Sequence, residues 1–204
     1  MYKKPFIVFE GIEGSGKSSH INYVSNYLKK KKYKFIRIRE PGGTINSEKI
    51  RKLILDKKSL FNSRTDLLLY LAARSENLSI IKKNYKKKII LIDRFVDSTI
   101  AYQHYGMKLN LKFIKNINDY LLKGIKIDIT FLHTVSHFEM IKRLKERKNL
   151  NRYDQFNKSF YINVQKGFLK LSRNKNKKYQ IIDSHKSIEY NKELIIEKIS
   201  KLIK

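Results

Sequence analysis

The sequence predicts an α/β fold, a five-stranded parallel sheet with helices on both faces, and three observations carry that prediction. Five short apolar, β-branched runs alternate with longer segments of helical periodicity along 204 residues. Such alternation implies right-handed crossovers, and hence a parallel sheet covered on both sides. The first run also leads directly into a glycine-rich turn and then a helical pattern, the context of a phosphate-binding loop.

Taken in order, the first strand is expected over Pro5 to Glu10. Gly11-Ile12-Glu13-Gly14-Ser15-Gly16-Lys17-Ser18 then spells G-x-x-x-x-G-K-S. The glycines let the backbone curl so that successive N–H groups aim at phosphate oxygens, and the following helix adds its unpaired N–H groups and dipole. Lys17 is expected to reach the β- and γ-phosphates of ATP, and the Ser18 hydroxyl to ligate Mg²⁺. Ile21, Val24 and Leu28 space the apolar face of a helix over 17–31. A second strand, Phe35 to Arg39, precedes helices near 46–57 and 64–84, and a third spans Ile89 to Asp93. Helix 110–122, strand Asp128 to His133, helices 136–148 and 156–173, strand Tyr179 to Asp183 and helix 187–203 complete the chain. No repeat, low-complexity linker or composition shift divides it, so residues 1–204 are expected to form one domain. In such sheets ligands lie beyond the strand C-termini. Those ends carry Glu10, Arg39-Glu40, Asp93-Arg94 and Asp183.

Composition narrows the setting. There is no cysteine, which excludes disulfides and thiolate metal sites and suits a reducing cytoplasm. Met1-Tyr2-Lys3-Lys4 looks like the start of a leader, but the apolar stretch after it is short and closed by Glu10. No stretch approaches the roughly 20 apolar residues of a membrane span. A cytoplasmic location is expected. The net charge of +28 suggests nucleic acid, yet the lysines are scattered, as in Lys29 to Lys32, Lys86 to Lys88 and Lys175 to Lys178. They read as a compositional bias on solvated faces, so neither nucleic acid nor membrane is expected as a partner. The field still draws small phosphorylated anions toward any cleft.

Phosphoryl transfer needs charge neutralisation and in-line positioning more than acid–base chemistry. Asp93 ends the apolar run Ile89 to Ile92, where a carboxylate can hold Mg²⁺ directly or through water. Arg94 beside it presents a planar fork suited to phosphate. Tyr70 and Arg74 share a helix face at i, i+4, an aromatic ring beside a guanidinium, as a nucleoside monophosphate would need. Spacing alone also fits a packed tyrosine and a surface arginine. Arg143, Arg147 and Arg152 lie where a helix loosens into Lys148-Asn149-Leu150-Asn151, a pattern for either a closing lid over 142–155 or a solvated basic helix end.

Together these segments resemble the thymidylate kinases of bacterial type, P-loop nucleoside-monophosphate kinases. The resemblance rests on Phe9-Glu10 with the P-loop, Arg39-Glu40-Pro41-Gly42-Gly43-Thr44 and Ala72-Ala73-Arg74. It continues through Asp93-Arg94, Ser98-Thr99-Ile100-Ala101-Tyr102-Gln103 and Asn151-Arg152-Tyr153-Asp154. It implies transfer of the γ-phosphoryl group of ATP to dTMP, with Mg²⁺, by a homodimer. It also implies residue roles. Glu13 lies near the sugar 3′-hydroxyl, Arg74 and Arg94 hold the acceptor phosphate with Arg51 close by, and Tyr70 stacks on thymine. Thr99 and Gln103 lie near the base, and Tyr102 crowds the 2′ position. Gly14 leaves the P-loop without an arginine, so Arg152, or Arg143 or Arg147 beside it, supplies cationic charge from the lid. Three positions depart from the family's usual pattern: Tyr70 for phenylalanine, His133 for aspartate, and Tyr153-Asp154 for isoleucine–glutamate. A nucleic-acid-stimulated P-loop ATPase is the rival from another class. No recognition helix or aromatic-basic module supports it.

Overall fold

Five parallel strands in the order β2-β3-β1-β4-β5 make one sheet. The computed structural model of the chain describes residues 3–147, 150–174 and 178–204. The strands are β1 (Phe6–Gly11), β2 (Phe35–Arg39), β3 (Ile89–Asp93), β4 (Ile129–Thr134) and β5 (Tyr179–Asp183), each within a residue or two of the sequence expectation. Helices α1 (Lys17–Lys30), α2 (Ile45–Leu55), α3 (Ser63–Asn84), α5 (Leu111–Leu121), α6 (His137–Lys145), α7 (Lys158–Ser172) and α8 (Ile188–Ile203) connect or cover them, as does the short α4 (Val96–Thr99).

β1 is central, so all six of its residues are buried, and its side chains alternate between two helical layers. Ile7 and Phe9 pack with Ile21, Val24 and Leu28 of α1 and Ile195, Ile199 and Ile203 of α8. Phe6 and Val8 face the other way, toward Leu78 and Ile81 of α3 and Phe95. Full burial of each such side chain contributes about 1.5–3 kcal/mol. Helix starts follow the side-chain chemistry: Thr44, Asn62, Asn110, Ser136, Asn157 and Ser187 each accept a backbone N–H of the first turn.

Register places the functional ends together. Phe9 pairs with Asp93, Arg39 with Asp93, and Gly11 with His133. The lysines at 29–32, and Lys86 and Lys87, are exposed, in line with solvated faces. Lys148, Asn149 and most of the 175–178 run lie outside the described residues.

Two features differ from the sequence expectation. A 3₁₀ turn, Arg152–Gln155, precedes α7, and Asn157 caps the helix start two residues inside the expected 156–173. The stretch after β3 is helical and was not foreseen: α4 runs into a π-helical segment, Ile100–Gly106. Ile100, Ala101, Tyr102 and Gln103 are buried in succession, so no amphipathic stripe announces a helix there. π-helical turns recur at functional sites, and this one supplies two cleft residues, Tyr102 and Gln103.

Candidate functional site

A cleft of about 630 Å³ opens over the C-terminal edge of the sheet. Its floor is the loop between β1 and α1. Gly11 has φ 139, and a Cβ there would meet the His133 carbonyl at 2.3 Å, so only glycine lets β1 turn so close to β4. Lys17 folds across the loop, its Nζ donating to the carbonyls of Gly11 and Ile12 at 2.8 Å each. Burial, reinforced by the Arg94 charge, pushes the Lys17 ammonium down to about 7. A bound phosphate would reverse that shift by supplying the missing counter-charge. Ser18 lines the same cleft and is exposed to it.

Asp93 ends β3 beside this loop, and its Oδ1 is buried with no hydrogen-bond partner. A bare buried carboxylate oxygen facing a phosphate loop and a serine hydroxyl is a donor set that fits Mg²⁺, which takes one or two protein oxygens plus phosphates and water. Among the described residues no cluster of three or more His, Cys, Asp or Glu side chains offers a denser metal site. Arg94 follows with φ 65, a left-handed backbone that costs about 1–3 kcal/mol for a non-glycine residue and points to a functional constraint. Its amide donates to Phe9 O at 2.9 Å. Its guanidinium reaches Gly11 O at 2.9 Å and the Glu13 carboxylate at 2.7 Å, and lies 5.0 Å from the Tyr102 ring centroid. Against the desolvation that burial imposes, Arg94 and Lys17 hold the Glu13 carboxyl below its ordinary value.

The remaining wall divides by element. From α2, α3 and the segment after β3 come Arg51, Tyr70, Arg74, Thr99, Tyr102 and Gln103. From α1, α6 and the chain just after it, the loop after β5 and α8 come His20, Arg143, Arg147, Ser184, Lys186 and Asn191. The P-loop and Asp93 line the same cleft.

A family model described as thymidylate kinase matches residues 9–195. The thymidylate kinase of Thermosipho africanus is 41% identical over 186 residues, 90% of this chain and 92% of that one. That of Mycoplasma capricolum is 37% identical over 203 residues, 95% of each. The chain belongs to the thymidylate kinase family. A crystal structure of the thymidylate kinase from Ehrlichia chaffeensis superposes with a TM-score of 0.78 at 32% identity, covering 97% of this chain and 98% of that one.

Seen in the thymidylate kinase fold, the expected residues are brought together unevenly. Gly14, Ser15, Gly16, Lys17, Ser18, Glu13, Arg51, Tyr70, Asp93, Arg94, Thr99, Tyr102, Gln103, Arg143 and Arg147 all line the cleft; Gly11 and Ile12 lie beneath it. Arg74 lines it too, but its Nε and Nη2 both engage Glu40, at 2.8 and 2.7 Å, and its Nη1 engages Asn118 at 2.6 Å. Its guanidinium is therefore charge-compensated, as a buried arginine requires. Arg152 is absent from the cleft wall and pairs with Asp66 at the start of α3, with its Nη1 3.4 Å from Ser59 O. Over the P-loop lies Arg143, whose Nη1 donates to Gly14 O at 2.8 Å.

Sequence reasoning missed the supporting residues. Glu10 is fully buried and caps the segment after β3, accepting Phe95 N at 2.9 Å and Ser98 N at 3.1 Å; burial beside Asp97 raises its carboxyl to about 7. Glu40, Asn118 and Asp66 are likewise buried and bonded to site residues. A carboxylate inside or flanking a glycine-rich motif was the available signal for Glu10 and Glu40. Nothing in the sequence singled out Asn118 or Asp66.

Proposed function

We infer that the protein transfers the γ-phosphoryl group of ATP to dTMP, giving dTDP and ADP, the reaction that supplies dTTP synthesis. The observation that carries this reading is one cleft that holds the P-loop, Lys17 and Asp93 together with two unlike groups of side chains. One side offers a tyrosine ring and amide and hydroxyl groups suited to a base and sugar, the other basic and polar groups suited to a nucleotide donor. The P-loop amides and Lys17 hold the phosphates of ATP, while Arg94, with Arg51, holds the acceptor phosphate. Arg74 contributes its remaining N–H groups as hydrogen-bond donors to the acceptor rather than as net charge.

Tyr70 packs against the acceptor base, Thr99 and Gln103 border it, and Tyr102 and Glu13 border the sugar. Ser18 and Asp93 would hold Mg²⁺, which would neutralise charge developing on the phosphates. The segment 142–155 acts as a lid within a domain spanning 1–204, and Arg143, with Arg147, supplies cationic charge to the transferring group. The enzyme works as a homodimer in the cytoplasm. Exposed Leu53, Leu68, Phe113 and Tyr120 on α2, α3 and α5, helices packed side by side, are the apolar surface that supports dimerisation. No described helix is long and apolar enough to cross a membrane.

A coupled assay of ADP release across dTMP, dUMP, thymidine and no acceptor tests the reaction. Sedimentation of the wild type and Leu68→Glu tests the dimer, which the charge should dissociate.

A further inference from the structure

Asp66 does not line the cleft, yet it holds the lid turn and the acceptor wall together. It sits in the first turn of α3 and is 2% exposed. Its Oδ1 accepts from Arg152 Nη2, and its Oδ2 accepts from the Tyr153 hydroxyl at 3.0 Å. A carboxylate so deeply buried is tolerated only when paired and hydrogen-bonded, and here both partners come from the 3₁₀ turn at the end of the lid segment.

The direction of these bonds matters. An ionised carboxylate only accepts, so the Tyr153 hydroxyl must give its one proton to Asp66. That hydroxyl can then only accept from Gln103, whose Nε2 lies 3.4 Å away. The Gln103 amide is thereby held with its nitrogen toward Tyr153, leaving Oε1, which has no partner among the described residues, as the group to meet a ligand. The Tyr153 ring is fixed from two further sides, 5.9 Å from Tyr70 and 5.9 Å from Tyr102, both cleft residues.

Resting on the proposed kinase reading, we propose that Asp66 is a positioning residue that sets the Gln103 amide through Tyr153 and so selects the acceptor base. With Oε1 presented, the site favours a pyrimidine whose ring nitrogen carries a hydrogen, as in thymine or uracil. It disfavours cytosine, whose ring nitrogen is an acceptor. The same carboxylate anchors the lid turn through Arg152, so base reading and lid seating share one anchor.

The test compares wild type, Asp66→Asn, Asp66→Glu and Tyr153→Phe with dTMP, dUMP and dCMP as acceptors, alongside thermal unfolding. Asp66→Asn removes the obligatory acceptor and frees the Gln103 amide to rotate. It should raise the acceptor KM, and the ratio of kcat/KM for dTMP over dCMP should fall about 10-fold. The KM for ATP and the melting temperature should change little. Tyr153→Phe should lower the same ratio, and Asp66→Glu should restore part of it. An unchanged dTMP-to-dCMP ratio in both folded variants would overturn the assignment, as would an equal loss toward every acceptor and ATP. Failure of wild type to use dTMP at all would instead reject the kinase reading itself.

Discussion

Arg143 on α6 donates from Nη1 to the carbonyl of Gly14 at 2.8 Å, so an arginine ties α6 to the P-loop. Gly14 makes this approach possible. A Cβ at residue 14 would lie 3.3 Å from the Met140 carbonyl and 3.6 Å from Arg143 Cβ, and φ 67 disfavours any other residue there. A glycine inside the loop and an arginine over it are thus two halves of one arrangement.

Arg143→Ala should therefore lower kcat strongly, by about 10²-fold or more, on the scale of arginines that stabilise a transferring phosphoryl group. Affinity for dTMP should move much less, because the effect belongs to the transition state. Steady-state kinetics of Arg143→Ala beside Arg152→Ala checks it. The Arg152 change should instead raise the acceptor KM, since that side chain is bound to Asp66. The reverse pattern would restore Arg152 as the cation of the reaction.

Lys17→Ala should remove charge stabilisation in a water-poor loop and reduce kcat by about 10²-fold or more. Single-turnover measurements on the folded variant decide it, and turnover close to wild type would remove the loop from the reaction.

The Arg74–Glu40 pair makes a stability prediction. Both side chains are almost wholly buried, and their closest atoms are 2.7 Å apart. Arg74→Ala strands the Glu40 carboxylate and should destabilise the protein by about 3–5 kcal/mol in urea unfolding. Glu40→Gln combined with Arg74→Met removes both charges and should recover much of the loss. If the double change is as damaging as the sum of the two, the coupling is absent.

His133 predicts a pH dependence. Burial, with His20 at 3.1 Å and Lys17 nearby, holds its imidazole well below its ordinary value of 6.5. The unfolded chain then binds a proton that the folded chain refuses, so this group's contribution to stability is present above about 6.5 and declines as pH falls below it. Glu10, raised to about 7, works in the opposite sense, favouring the fold at low pH and losing that contribution as pH rises from 4.5. His133→Asn isolates the histidine. Between pH 7 and 5.5 the variant should lose about 1 kcal/mol less than wild type in urea unfolding. Parallel curves would contradict it.

The strands and the P-loop were legible because buried central strands are continuous apolar runs and the loop depends on glycines at fixed spacing. Cleft residues such as Lys17, Tyr70, Arg94 and Gln103 announced themselves through motif position. The π-helical segment did not, since four successive buried residues leave no period to read. For Arg152 the motif gives a place in the chain, while the direction of its side chain is set by Asp66, 86 positions earlier. For Arg74 the charge was visible and its counter-ion Glu40 was not. Pairings between distant carboxylates and arginines are fixed by the fold, and a single sequence carries no mark of them.

The most direct test of the account is the stoichiometry of ADP release with purified protein, ATP and Mg²⁺. The account predicts ADP formed one for one with dTDP, dependent on dTMP and indifferent to added DNA or RNA. ADP release at the same rate without dTMP, or stimulated by nucleic acid in its place, would contradict it.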